Sequence, residues 1–242
     1  MKIAMWSGPR NLSTALMYAF AARGDTAVWD EPFYAAYLAS TGLAHPMRDA
    51  IVAAGETDPA QVARRLAGPA PGGKAVFYQK HMCQHMIPAM PRGWMAGVAN
   101  VFLIRHPARV MASFAAKYEA ATLTDIGFLQ QAELFDAVAD GTGRAPVVID
   151  SADIRRDPGG MLRALCAALG LDYSPAMLSW PAGGHPDDGV WAPVWYGAVH
   201  RSIGFAGPEG PPPALTGEYA RIARAALPAY ERLAAVRLAP SG

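Results

Sequence analysis

Five short runs of aliphatic, aromatic and β-branched residues recur along the chain, each followed by a stretch with helical spacing. They are KIAMWS (2–7), TAVWD (26–30), KAVFYQK (74–80), NVFLIR (100–105) and PVVID (146–150). Strands separated by helices are too far apart in sequence to pair as hairpins. They predict an α/β chain: three layers (α/β/α) around a mostly parallel, five-stranded sheet covered on both faces. Hydrophobic residues make up 52% of the chain, enough to fill such a core. At 242 residues, all of 1–242 fits one domain. Ligands of such sheets bind beyond the carboxyl ends of the strands, and every candidate motif sits at such an end.

The connecting segments carry their own punctuation. A helix over roughly 11–22 places Leu12, Leu16, Ala19 and Phe20 on one face and stops at Gly24. Residues 34–70 read as mostly helical, with Asp58-Pro59 as an N-cap and first-turn proline. Pro107 opens a helix over PARVMASFAAKYEA, and another covers roughly 124–139. Asp157-Pro158 caps a helix bearing Met161, Leu162, Leu165, Cys166 and Leu169; a last helix covers 216–236. Between about 180 and 213 the texture changes to dense Pro and Gly with Trp180, Trp191, Trp195, Tyr196 and Phe205. A long aromatic loop of that kind reads as a lid.

Charge and composition exclude several functions. A formal net charge of +1 argues against a nucleic-acid coat or a polybasic membrane contact. No apolar run approaches the ~18–20 residues of a membrane helix. Lys2 is followed by a short apolar run and then Gly8-Pro9, which does not read as a signal peptide. Two cysteines make no disulfide framework. The expectation is a soluble cytoplasmic protein with no nucleic-acid partner and no integral membrane segment; its oligomeric state is open.

The stretch AMWSGPRNLSTALMYAF (4–20) reads as strand, tight turn and helix. Such a turn aims backbone N–H groups and the helix dipole at an anion. Arg10 adds a charged fork, and Ser13 and Thr14 add hydroxyls. The ATPase pattern G-x-x-x-x-G-K-[ST] is not met, because Ser13 occupies the second glycine's position and no lysine follows. A second motif, RHPARVMAS, puts Arg105 at the end of the fourth strand and Ser113 eight residues on, in the helix that Pro107 starts. Both can converge on one anion from the strand end and the helix flank.

Together these motifs resemble those of the sulfotransferase family, whose members use 3′-phosphoadenosine 5′-phosphosulfate (PAPS) as sulfuryl donor. SGPRNLSTAL resembles the family's 5′-phosphosulfate loop in its bacterial form, where arginine replaces lysine. RHPARVMAS resembles its 3′-phosphate motif. The resemblance covers about the first 120 residues by motif and about 170 by element order. It implies a P-loop-NTPase-like fold and a PAPS site needing no metal. Gly8, Pro9, Arg10, Asn11, Leu12, Ser13 and Thr14 would hold the 5′-phosphosulfate, with Arg105 and Ser113 on the 3′-phosphate. By the same resemblance, VHRSIGF (199–205), with Arg201 and Ser202, is the candidate for a late loop closing on that phosphate.

Sulfuryl transfer to an alcohol needs a base at the acceptor oxygen and positive charge at the leaving group. WDEPF ends the second strand with Asp30 and Glu31, and Glu31 resembles the acidic base of several bacterial and carbohydrate members. YQKHMCQHM ends the third strand with Lys80, His81, Cys83 and His85. Lys80 is a candidate to neutralise the leaving phosphate, with His81 as second choice of base. His81, Cys83 and His85 fall at i, i+2, i+4 and would share a strand face, but three ligands without a fourth make a weak zinc pattern. The expected reaction is sulfuryl transfer to a hydroxyl or amine of a small molecule, sugar or lipid headgroup. Two alternatives stand beside it: a phospho-adenosine-binding protein without turnover, and a magnesium-dependent P-loop kinase or NTPase with Asp150 as its metal aspartate.

Overall fold

The structure, a computed structural model, describes residues 1–116 and 121–241. Its sheet comprises β1 (Lys2–Ser7), β2 (Thr26–Asp30), β3 (Val76–Met82), β4 (Ala99–Ile104) and β5 (Val147–Asp150). The strands lie in the order β2-β3-β1-β4-β5, and every neighbouring pair is parallel. Strand order reverses around β1, so the crevice at its carboxyl end is where an open sheet of this type accepts a ligand.

The helices are α1 (Ser13–Ala21), α2 (Tyr34–Thr41), α3 (Arg48–Ala54), α4 (Pro59–Ala67) and α5 (Pro107–Ala115), followed by α6 (Phe128–Thr142), α7 (Ser151–Arg156) and α8 (Pro158–Leu169). Short α9 (Ala192–Trp195) and α10 (Gly197–His200) precede the long α11 (Gly217–Ala234). The alternation of side chains along β1 sorts them into layers. Ile3 and Met5 pack against Leu16 and Phe20 of α1 and Leu162 and Leu165 of α8. Ala4 and Trp6 face the other way, onto Leu38 of α2 and Leu134 and Phe135 of α6. A third cluster joins Val110, Met111 and Phe114 of α5 to Ile222, Ala223 and Ala226 of α11.

Local chemistry sets the boundaries. Asp58 caps α4 by accepting from Ala60 N at 2.8 Å, with Pro59 in the first turn. Asp157 caps α8 through Gly160 N at 2.8 Å. The first helix starts at Ser13 rather than near residue 11, because Leu12 takes a left-handed conformation (φ 75°). The helix expected over 124–139 starts at Phe128, after left-handed Gly127. The one opened by Pro107 runs to Ala115; the rest of its expected span, 117–120, lies outside the described residues. None of the described helices is long and apolar enough to cross a membrane.

The stretch from 180 to 213 is tied down at several points. Ser179 and Gly204 form an antiparallel bridge, and Trp180 Nε1 donates to Ser202 Oγ at 3.2 Å. Asp188 accepts from Tyr18 of α1 at 2.5 Å and pairs with His200 at 3.0 Å. The segment thus lies over the carboxyl end of the sheet, with Trp191 and Tyr196 buried beneath it.

Candidate active site

A cavity of about 560 Å³ opens at that end of the sheet, a volume usual for a small-molecule site. Residues 9–15, from the turn after β1 into the first turn of α1, form one wall. Gly8 lies just behind this wall. A Cβ there would sit 2.5 Å from the Ile126 carbonyl oxygen, so only glycine fits where residues 121–127 pass. Asn11 is buried and donates to Leu103 O at 3.3 Å, holding the turn to β4. No side chain caps α1, and its first turn carries no acidic residue. The first-turn N–H groups of a helix lack internal acceptors, and here Ser13, Thr14 and Ala15 line the cavity.

The two motifs meet here. Arg10 Nε donates to Ser113 Oγ at 3.0 Å, and its Nη1 reaches Trp195 O at 3.2 Å. Arg105 Nη1 donates to the Arg10 carbonyl at 2.6 Å. Burial and the nearby Arg105 charge hold the Arg10 guanidinium below its usual range, and an anion between the two arginines would offset their repulsion. Three residues bordering the cavity have positive φ without being glycine: Arg10 (60°), Leu12 (75°) and Glu31 (42°). Each such conformation costs on the order of 1–3 kcal/mol and clusters at functional sites.

On the opposite wall, the β2–β3 register places Asp30 beside Lys80. Lys80, 1% exposed, donates to Asp30 Oδ1 at 2.8 Å, Glu31 Oε1 at 2.6 Å and Tyr196 OH at 2.8 Å. Tyr196 in turn reaches Asp30 Oδ2 at 2.7 Å, and Trp191 Nε1 donates to its hydroxyl at 2.9 Å. Two carboxylates share one ammonium in a dry pocket. Burial pushes the Asp30 carboxyl up. Burial works against the Lys80 charge, but Asp30 and Glu31 overcome it and hold the ammonium above its usual range. Glu31, Lys80 and Tyr196 all line the cavity.

His81, one residue from Lys80, points to the other sheet face. Its ring stacks on Trp6 at 4.4 Å and faces Trp94 at 5.2 Å. It does not line the cavity, and burial pulls it down to about 3. The expected strand spacing of His81, Cys83 and His85 is also broken, because β3 ends at Met82 and Cys83–His85 form a 3-10 turn. Among the described residues no cluster of three or more His, Cys, Asp or Glu side chains is arranged to hold a metal ion. Asp150 caps α7 through Ala152 N at 2.8 Å and accepts from Tyr230 at 2.7 Å, so both its oxygens have structural work.

The late loop divides. Ser202 lines the cavity; Arg201 is exposed and does not. The residue that reaches Arg105 comes slightly later: Glu209 pairs with Arg105, Arg109 and Arg155. Sequence reading missed Arg109, Arg155 and Glu209, and it placed Tyr196 in the lid without assigning its contact with Lys80. The signal in the sequence was the closeness of Arg105, just past β4, to Arg109, in the first turn of α5.

An aromatic face completes the cavity. Tyr34, Tyr37, His45, Met82, His85 and Trp195 line it. His85 is buried and stacks on Tyr34 at 4.5 Å and Tyr37 at 4.9 Å. Burial pulls it well below its usual range, so it is neutral.

Two curated relatives from Arabidopsis thaliana, branched-chain-amino-acid aminotransferase-like proteins 2 and 1, are 35% and 36% identical over 231 residues. The match covers 96% of this chain but 41% of each relative, so the chain spans about two fifths of their length. Among solved structures, the sulfotransferase domain of the Synechococcus PCC 7002 olefin synthase aligns with a TM-score of 0.48 and 17% identity, covering 93% of this chain and 94% of that one. The sulfotransferase domain from the curacin biosynthetic pathway aligns with 0.48 and 16%, covering 92% and 96%. The sulfotransferase-domain family model matches residues 1–237, nearly the whole chain, and the chain belongs to that family.

Proposed function

We propose that the chain transfers a sulfuryl group from PAPS to a hydroxyl or amine of a small-molecule acceptor. The observation that carries this reading is the direct meeting of the two anion motifs, Arg10 with Ser113 and Arg105, across one cavity from Glu31 and Lys80. The residues fit an anionic donor. The helix N-terminus is uncapped, Arg105 Nε is buried without an acceptor, and no acid stands in the first turn of α1. When bound, PAPS supplies the sulfuryl group and departs as adenosine 3′,5′-bisphosphate.

The chain's own residues have distinct tasks. Arg10, Ser13, Thr14 and the first-turn N–H groups would hold the 5′ end, and Arg105 with Ser113 the 3′-phosphate. Lys80, expected from sequence to neutralise the leaving phosphate, has its three N–H groups on Asp30, Glu31 and Tyr196, so it positions the Glu31 carboxylate instead. Its hydrogen bond, with that of Tyr196, fixes the Glu31 carboxylate at Oε1, and Glu31 accepts the acceptor's proton. The aromatic face of Tyr34, Tyr37 and Trp195 suits an acceptor with an apolar or aromatic body.

The experiment is transfer of ³⁵S from labelled PAPS to a panel of hydroxylated and amine acceptors in the presence of EDTA. The reading expects label on at least one acceptor with wild-type protein and none with Glu31→Gln, while both bind donor equally. Donor binding without transfer to any acceptor would favour a protein that binds phospho-adenosine without turnover. Full activity of Glu31→Gln would place the base elsewhere.

A further inference from the structure

Three arginines from three elements converge beside the donor cavity. Arg105 stands just past the end of β4, Arg109 within α5 and Arg155 within α7. All three pair with the Glu209 carboxylate: Arg105 at Oε1, Arg155 at Oε1 at 2.5 Å, and Arg109 with Oε2 at 3.2 Å. The same strap adds two carbonyls: Gly207 O accepts from Arg155 Nε at 2.8 Å, and Gly210 O from Arg109. Glu209 is buried to 6% side-chain exposure, whereas the arginines remain 14–21% exposed.

One carboxylate is too small a counter-charge for this cluster. Three guanidinium groups bring three positive charges and fork-shaped donor sets, and one carboxylate offers two oxygens and a single negative charge. The mismatch shows in the hydrogen bonding. Glu209 Oε2 makes no hydrogen bond of good geometry, and Arg105 Nε is buried without an acceptor. A phosphate dianion, with three oxygens and nearly twice the charge, matches the cluster better. Arg105, which lines the cavity, joins this cluster to the donor site.

We propose that the three arginines form the phosphate subsite for the 3′ position of the donor, and that Glu209 is an internal anion occupying it in competition with that phosphate. The inference rests on the donor reading above and adds Arg109 and Arg155 to the subsite. Donor binding then requires the strap around Glu209 to leave the arginines, and the apparent affinity falls by the fraction of molecules in which it has left. Gly207 and Gly210, on either side of Glu209, give the strap positions at which it can turn.

The test is calorimetric titration of wild-type protein and Glu209→Gln with adenosine 3′,5′-bisphosphate and with adenosine 5′-monophosphate. Removing the competing charge is expected to tighten bisphosphate binding by about tenfold and leave the monophosphate unchanged. Equal or weaker bisphosphate binding by the variant overturns this inference while the donor reading stands. Bisphosphate binding by neither protein overturns both. Should Glu209→Gln fail to fold, hydrogen exchange on wild type decides. Saturating bisphosphate is expected to speed exchange of the amides of Gly207, Glu209 and Gly210, and unchanged or slower exchange there overturns the displacement.

Discussion

Replacing Lys80 by methionine tests how the cavity wall is held. The side chain is of similar length and apolar, so packing is nearly kept while the ammonium is lost. Lys80 contributes hydrogen bonds of 2.8 Å to Asp30, 2.6 Å to Glu31 and 2.8 Å to Tyr196. Asp30 is 4% exposed and Glu31 9%, so the variant leaves two buried carboxylates facing each other without a cation. Orphaning a buried charge costs about 3–5 kcal/mol, which in a chain of this size lowers Tm by roughly 6–20 °C. The loss must also depend on pH. Burial already holds the Asp30 carboxyl above its unfolded value, and without the ammonium it rises further. The penalty is therefore full at pH 7.5 and shrinks as pH falls toward the ordinary carboxylate range near ~4. Calorimetric unfolding of wild type and variant at pH 7.5 and 4.5 reads both effects. A loss under ~1 kcal/mol at pH 7.5, or one of equal size at the two pH values, would refute the electrostatic argument and leave only packing.

Two further predictions concern stability around the site. Gly8→Ala drives a methyl group to 2.5 Å from Ile126 O; it is expected to cost about 1–3 kcal/mol by overpacking, measured by denaturant unfolding, and a neutral result would show that residues 121–127 yield freely. His81 is neutral in the folded state, with its pKa pulled down to about 3. Its depressed value contributes stability above the unfolded pKa of ~6.5 that is lost as pH falls, about 2 kcal/mol between pH 7.5 and 5. His81→Leu should flatten the pH dependence of unfolding free energy over that window by this amount, and an unchanged slope would contradict the burial of a neutral ring.

The sheet was the most legible part of the sequence. The 3.6- and 2-residue periods are local, so β1 and β2 emerged with their observed bounds, and the other three strands within two residues. The Asp-Pro pairs at 58–59 and 157–158 marked helix starts because a cap acts over three residues. The two anion motifs were legible because each is contiguous in sequence; that they touch, through Arg10 and Ser113, is a property of the sheet order. Strand alternation alone could not say which of Lys80 and His81 faces the cavity. That depends on β3 sharing its Tyr78–Lys80 face with α1, where Tyr78 stacks on Phe20 at 4.6 Å. Glu209 was invisible, because nothing in GPEGPPP records that Arg105, 104 positions earlier, lies beside it. Asp150 read as a free acid because α7, the short helix it caps, lacks a periodic pattern of its own.

The proposed function stands or falls on whether the meeting of Arg10, Ser113 and Arg105 forms a metal-independent site for a 3′,5′-bisphosphorylated adenosine. Calorimetric titration with adenosine 3′,5′-bisphosphate without magnesium, then with ADP, then with ATP and magnesium, tests it most directly. Magnesium-independent binding of the bisphosphate, with ADP much weaker, is the expected result. Preference for ATP with magnesium would contradict it.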